Sequence, residues 1–335
     1  MIDPENNPEF LNDFLAYSST ILNKSQNTIK EYNYDLAHFL KYITFKYKLT
    51  DVKDEEFIKT IKINCFDLQT LERIKLPDIH SFLAYLKTCY NSKPATLARK
   101  TASIKVFFNY MCNKTKKISQ NPAQDLETPK LGKRLPKYLT LEQSKNLLAT
   151  VSNPVENVNH GNHNNSERNF AMITILLNCG LRLQELININ ISDIDFENSK
   201  LNVIGKGNKE RTIYLNKACI KAINKYLAVR PRDGVKFDSS DALFLSEQKR
   251  RISRRTVQYI VKEELKNAGI EKASSYSVHK LRHTAATLMY KYGDVDIRAL
   301  QELLGHESIS TTEIYTHVDN EQIRDAVEKN PLANL

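Results

Sequence analysis

Three short, well-separated stretches of this 335-residue sequence are dense in side chains suited to phosphate. The first is Gly180-Leu181-Arg182-Leu183-Gln184-Glu185-Leu186 and the second is Ser277-Val278-His279-Lys280-Leu281-Arg282-His283. The third opens at Leu304-Gly305-His306 and continues through Thr311-Thr312-Glu313-Ile314-Tyr315-Thr316-His317. A guanidinium offers a planar fork of donors that matches two phosphate oxygens better than an ammonium does. His279 and Arg282 stand three apart on one expected helix, so a single face of it can address a single phosphate. Ordinary readings exist for each stretch taken alone. Arg182 with Glu185 has the spacing of a helix salt bridge. His279 and His283 lie four apart, as zinc ligands do, but no H-E-x-x-H glutamate accompanies them, and no metal site is expected. Tyr315 is one of sixteen tyrosines, and a tyrosine is far more often packing than nucleophile. The cluster has no carboxylate pairs of the kind that hold two magnesium ions, which points away from a metal-dependent nuclease.

Apolar periodicity describes the frame that must position these residues. Phe10, Phe14, Tyr17 and Ile21 mark a first helix, and Ile29, Tyr32, Leu36, Phe39, Leu40 and Ile43 a second, with Ser25 and Asn27 as caps. A third follows Pro77 through Ile79, Phe82, Leu83 and Leu86. A fourth runs from about Pro94 to Asn113, with Leu97, Ile104, Phe107, Phe108 and Tyr110 inward and Arg99, Lys100 and Lys105 charged. Together they form a small bundle. The stretch 121–137 has the composition of a linker, which puts a domain boundary near Lys130. Beyond it, Thr140 and Gln143 form a capping-box pattern that opens a helix to about Val151. Residues 153–168 lack periodicity and read as an exposed loop, followed by a buried helix from Phe170 to Asn178 that Gly180 stops. Lys200–Ile204 and Arg211–Leu215 read as two strands of a hairpin around a turn that holds Gly205, Lys206, Gly207, Asn208 and Lys209. Helices are expected at about 217–229, 253–268, 277–292 and 297–304.

The formal charge of +10 favours a polyanionic partner. The excess is shared: 20 basic against 15 acidic residues in 1–133, and 29 against 24 after it, an excess of five in each part. That distribution suits a protein that grips its partner with both domains. The five cysteines are odd in number and form no CxxC clip, so reduced thiols are expected. With no apolar run long enough to span a bilayer and a polar, acidic N-terminus, the chain is expected in the cytoplasm, away from membranes.

Taken together and in order, the three stretches resemble the G-L-R-x-x-E-L, H-x-L-R-H and L-G-H…Y-T-H boxes of the tyrosine site-specific recombinases, the phage integrase family, and the Xer type in particular. The basic turn Ile204-Gly205-Lys206-Gly207-Asn208-Lys209-Glu210-Arg211 falls where that family places its active-site lysine. The resemblance covers the second half almost completely and the helical first half more loosely. It implies a mainly α protein built as a two-domain DNA clamp. Residues 1–130 would be a helical, SAM-like core-binding domain, and 138–335 an α-rich catalytic domain with a small antiparallel sheet. Segment 321–328 would be the helix exchanged between protomers.

The resemblance also implies roles. Tyr315 would be the nucleophile of a transesterification through a 3′-phosphotyrosine. A tyrosine hydroxyl is only about one part in a thousand ionised at neutral pH, a handicap of roughly 4 kcal/mol, so it needs help. Arg182 and Arg282 would stabilise the charge that builds on the phosphate oxygens. His279 and His306 would donate hydrogen bonds or assist proton transfer. Lys206 would protonate the leaving oxygen, with Lys209 on the same turn as its rival. Glu185 would hold the cations in register, and His283 and His317 would be structural neighbours. DNA contacts are expected from Arg99, Lys100 and Lys105 in the first domain. In the second they are expected from Arg254, Arg255 and Gln258, in the first turns of a helix after the basic run that begins at Lys249. No cofactor is implied. The partner would be double-stranded DNA carrying an inverted-repeat site, bound by a homotetramer, with a second recombinase or regulator as an open possibility. Resolution of chromosome or plasmid multimers and integration of a mobile element share this chemistry. A catalytically silent DNA-binding protein is the reading from another class.

Overall fold

In the computed structural model the described residues are 4–130, 132, 137–153, 163–205, 210–293 and 295–305. The chain divides into two compact units, Met1–Lys133 and Arg134–Leu335. Among the described residues no helix is long and apolar enough to cross a membrane.

The first unit is built from α1 (Glu9–Thr20), α2 (Gln26–Lys46), α3 (Leu68–Glu72), α4 (Leu76–Tyr90) and α5 (Pro94–Asn109), with a 3-10 segment at Glu55–Thr60. Ser25 caps α2 by accepting the Thr28 N–H, whereas Asn27 lies inside the helix. The apolar stripes interlock as rings: Phe14 meets Phe107 edge-on at 5.5 Å, and Phe39 meets Phe82 at 5.3 Å. Expectation and structure part company at several edges. Ile21 is the C-cap of α1 and 69% exposed, because the helix ends before that turn of the stripe can face the core. The helix expected to Asn113 changes at Tyr110–Lys114 into a π turn. The linker begins later than composition suggests, since Ala123 and Leu126 are buried in the first unit's core. Neither the 3-10 segment nor the five-residue α3 is long enough to show a period.

The second unit contains α6 (Leu141–Ser152), α7 (His163–Cys179), α8 (Leu183–Asn188), a sheet of β1 (Ile194–Asp195), β2 (Lys200–Ile204) and β3 (Glu210–Tyr214), then α9 (Lys217–Val229), α10 (Arg254–Asn267), α11 (Val278–Tyr292) and α12 (Ile297–Leu304). The capping box at Thr140 and Gln143 is formed in both directions. The fully buried stretch of α7 packs on α9, α11 and α6. The helix begins at His163, inside the stretch expected to be loop, and Arg168 is buried there, donating to the Leu245 carbonyl and the Asn169 side chain. A buried arginine so satisfied is helical core that hydropathy alone reads as loop. The sheet is antiparallel in the order β1-β2-β3, with Val203 opposite Arg211 and Ile204 opposite Glu210. β1, a two-residue strand, is below what alternation can reveal. Cys179 and Cys219, distant in sequence, touch at 3.8 Å between Sγ atoms in this core.

Candidate active site

Glu185 is the hub of the site, and local capping chemistry puts it there. Arg182 is the N-cap of α8 in extended conformation, so its own N–H is free to donate to Glu185 Oε2 at 2.8 Å, the carboxylate half of a capping box. The same carboxylate accepts from Arg182 NH1 through Oε1 and from Arg211 NH2 through Oε2, both at 2.8 Å. Arg282 NH1 stands 4.0 Å from Oε2. Residues from the N-cap of α8, from β3 and from the first turns of α11 thus gather around one buried carboxylate. Three guanidiniums against one carboxylate leave an excess of two positive charges in a poorly solvated place. Such a place favours an anion, and phosphate matches the donors.

The remaining donors converge on the end of α12. Arg211 NH1 donates to the Leu303 carbonyl at 2.7 Å, Arg282 NH2 to Leu304 at 2.5 Å, and Arg182 NH2 to Gly305 at 2.6 Å. Three successive carbonyls, the negative end of the helix dipole, each receive a different arginine. Arg282 also donates to the Gly180 carbonyl at 2.8 Å and is 1% exposed, while the Arg182 side chain keeps about a third of its surface in solvent. Gly305 closes α12 at φ 63°, where a side chain is strained, and a Cβ there would come within 2.7 Å of Arg211 NH1.

His279 lies one turn before Arg282 on α11. Its pKa is lowered, first by partial burial and then by the charges of Arg282 and Arg182, which disfavours its protonated form and places it in the field of both arginines. Its ring meets His283 edge-on at 4.5 Å, and His283 is held at about 4, by burial first and then by His279, Arg282 and Lys280. Among the described residues no three His, Cys, Asp or Glu side chains gather as a metal site would need. Lys206, Lys209, His306, Tyr315, His317 and segment 321–328 lie outside the described residues.

Residues 137–322 match the phage integrase family. Over 326 residues the chain is 52% identical to tyrosine recombinase XerC of Caldanaerobacter subterraneus subsp. tengcongensis, across 97% of this chain and 88% of that one. The chain belongs to the phage integrase family of tyrosine recombinases. It is 34% identical to tyrosine recombinase XerD of Listeria monocytogenes, across 96% of this chain and 98% of that one. A crystal structure of the XerH site-specific recombinase, bound to a palindromic difH substrate after cleavage, superposes with a TM-score of 0.70 at 23% identity over 95% of this chain and 83% of that one. The mainly helical architecture with a small antiparallel sheet is therefore the integrase fold. Tyrosine recombinases of this family cleave and rejoin DNA.

The expected DNA contacts of this recombinase fall into two groups. Arg254, Arg255 and Gln258 are exposed in the first turns of α10, which Ser253 caps. Within the same basic run, Arg251 is committed to the Ile187 and Ile189 carbonyls and to Asn190, and Lys249 to the Asp233 carbonyl. In the first unit the expectation for Lys100 does not hold. The residue is 3% exposed, with its ammonium 2.8 Å from the buried Asp35. Asp35 on α2 has no exposed side-chain surface and draws in Lys100, Arg99 and Ser103 together. Arg99 bridges Asp35 and Glu31 while keeping 40% of its side chain exposed, and Lys105 donates to the Leu126 carbonyl. Arg211 joins this cluster although the sequence places it only at the end of the basic turn and the start of a strand, without a role of its own. The signal that could have found it is the alternation of β3, which sets Arg211 on the opposite face from its exposed neighbours Glu210 and Thr212.

Proposed function

We propose that this recombinase exchanges DNA strands at an inverted-repeat site of the dif type, and that its role is the resolution of chromosome dimers. The Tyr315 hydroxyl attacks the scissile phosphorus, the bond to the 5′ oxygen breaks, and a 3′-phosphotyrosine forms. Lys206 gives the leaving oxygen its proton, with Lys209 as the rival donor. The 5′-hydroxyl of another strand then attacks and releases the tyrosine. One phosphoester replaces another, so the bond energy is kept and no ATP is consumed. Arg182 and Arg282 hold the non-bridging oxygens as charge develops on them, and His279 and His306 donate hydrogen bonds to the same group or assist proton transfer. Exchange between two duplexes takes four protomers. The likeness to both XerC and XerD supports a second, related recombinase as partner.

The observation that carries this reading is the cluster of Arg182, Arg211 and Arg282 around Glu185, cationic in excess and adjoining the residue before His306. The test is covalent capture. The protein is incubated with sheared, nicked genomic DNA from its host, adducts are retained by denaturing filtration, and the attached DNA is sequenced. Wild-type adducts at one inverted-repeat site near the replication terminus, absent with Tyr315→Phe although DNA binding is retained, are the expected result. Adducts at the ends of a mobile element would reassign the role to integration. Equal adducts with Tyr315→Phe would overturn the nucleophile.

A further inference from the structure

Arg211 has no role in the mechanism above, yet it is the residue that connects the site's parts. It projects from β3 and is the second residue after Lys209. One arm of its guanidinium takes Glu185 Oε2 and the other takes the Leu303 carbonyl. With Oε2 taken by Arg211 and by the Arg182 N–H, Oε1 is the oxygen left to the Arg182 side chain, so Arg211 fixes which way the Arg182 guanidinium turns. Its second bond pins the last turn of α12, whose next carbonyls hold Arg282 and Arg182. Glycine at position 305 leaves the space through which Arg211 passes. The Arg211 Nε is buried with no hydrogen-bond partner among the described residues, a penalty that a residue serving only to fill space would not retain.

We infer that Arg211 is a positioning residue for strand cleavage: by clasping Glu185 and the α12 terminus, it aims Arg182 at the scissile phosphate. The inference rests on the reading of Arg182 as a phosphate-binding cation. A lysine at 211 keeps the charge but lacks the fork needed to hold both partners. Misaiming a preorganised cation by about an ångström can slow chemistry by roughly a hundredfold while leaving the many other DNA contacts in place.

The experiment compares two substrates, both nicked duplexes bearing the site mapped by adduct sequencing. One has an ordinary scissile phosphodiester and the other a methylphosphonate, in which an uncharged methyl replaces a non-bridging oxygen. Single-turnover formation of the phosphotyrosine adduct and DNA affinity are measured for wild type, Arg182→Ala, Arg211→Met and Arg211→Lys. On the phosphodiester, Arg211→Met is expected to lose about a hundredfold and Arg211→Lys about tenfold, with affinity within about twofold of wild type. On the methylphosphonate, where little charge needs stabilising, the losses of Arg182→Ala and of both Arg211 variants are expected to shrink to about threefold. If Arg182→Ala recovers on the methylphosphonate while the Arg211 variants are equally slow on both substrates, Arg211 is structural only and the inference is overturned. If Arg182→Ala is equally slow on both, it is the reading of Arg182 that fails. Should Arg211→Met not fold, Arg211→Lys alone decides, since its two rates either diverge or do not.

Discussion

Lys100 and Arg254 carry the same charge into different surroundings, and substitutions at the two should separate stability from DNA affinity. Lys100 lies beside an Asp35 carboxylate without solvent exposure. Removing one partner of a buried pair leaves the other charge undercompensated, so Lys100→Met is expected to destabilise the protein by about 3 kcal/mol. The salt dependence of DNA binding should not change. Arg254→Ala and Arg255→Ala should do the reverse: melting unchanged, and the slope of log affinity against log salt reduced by about 1 for each phosphate no longer neutralised. Urea melts and binding titrations from about 50 to 200 mM salt would decide. A reduced salt slope for Lys100→Met with an unaltered melt would restore Lys100 as a DNA-binding residue. The difference between the two residues is invisible in the sequence, where both sit in basic helical segments. What buries Lys100 is Asp35, 65 residues away on another helix.

At the scale of elements, helix ends are the most legible part. The cap at Ser25, the capping box at Thr140 and the bounds of α9 and α12 follow from residues within a few positions of each other. The Arg182–Glu185 pair is legible for the same reason, being one capping turn. Bonds that join elements are not. Arg211 reaches Leu303 across 92 positions and Arg282 reaches Gly180 across 102, and no periodicity encodes either. The turn at the end of α12 offers a test at this scale. Gly305→Ala must strain a left-handed residue and displace Arg211, whereas Gly269→Ala, at φ 66° with no neighbour within 4 Å of its Cβ, meets only the strain. Both should cost about 1 kcal/mol or more in stability. Adduct formation is expected to fall at least about tenfold for Gly305→Ala and to stay near wild type for Gly269→Ala. Equal cleavage by the two variants would mean that the Arg211 clasp is dispensable.

For the whole molecule, each unit contains a histidine held at about 4. His38 is depressed by burial first and then by Lys100, Lys59 and Lys41, and His283 by burial and its cationic neighbours. In the unfolded chain both return to about 6.5. Between those values the unfolded chain binds protons that the folded chain refuses, so stability is intact above about 6.5 and is lost as pH falls toward 4. The slope reaches up to about 1.4 kcal/mol per pH unit for each histidine. Urea unfolding at a series of pH values from about 7.5 to 5 should show this decline, and His38→Gln and His283→Asn should each flatten it. A wild-type stability that is constant across that window would contradict both assignments.

The three arginines that end on Leu303, Leu304 and Gly305 have a consequence for how the enzyme is made. Synthesis delivers Glu185 and Gly180 early, but Arg182 and Arg211 are made long before the α12 carbonyls that accept from them, and Arg282 some twenty residues before Leu304. Until residues 303 to 305 have been added, none of the three guanidiniums has its complete set of partners. A nascent chain, or a fragment left by premature termination, therefore keeps its phosphate grip unassembled.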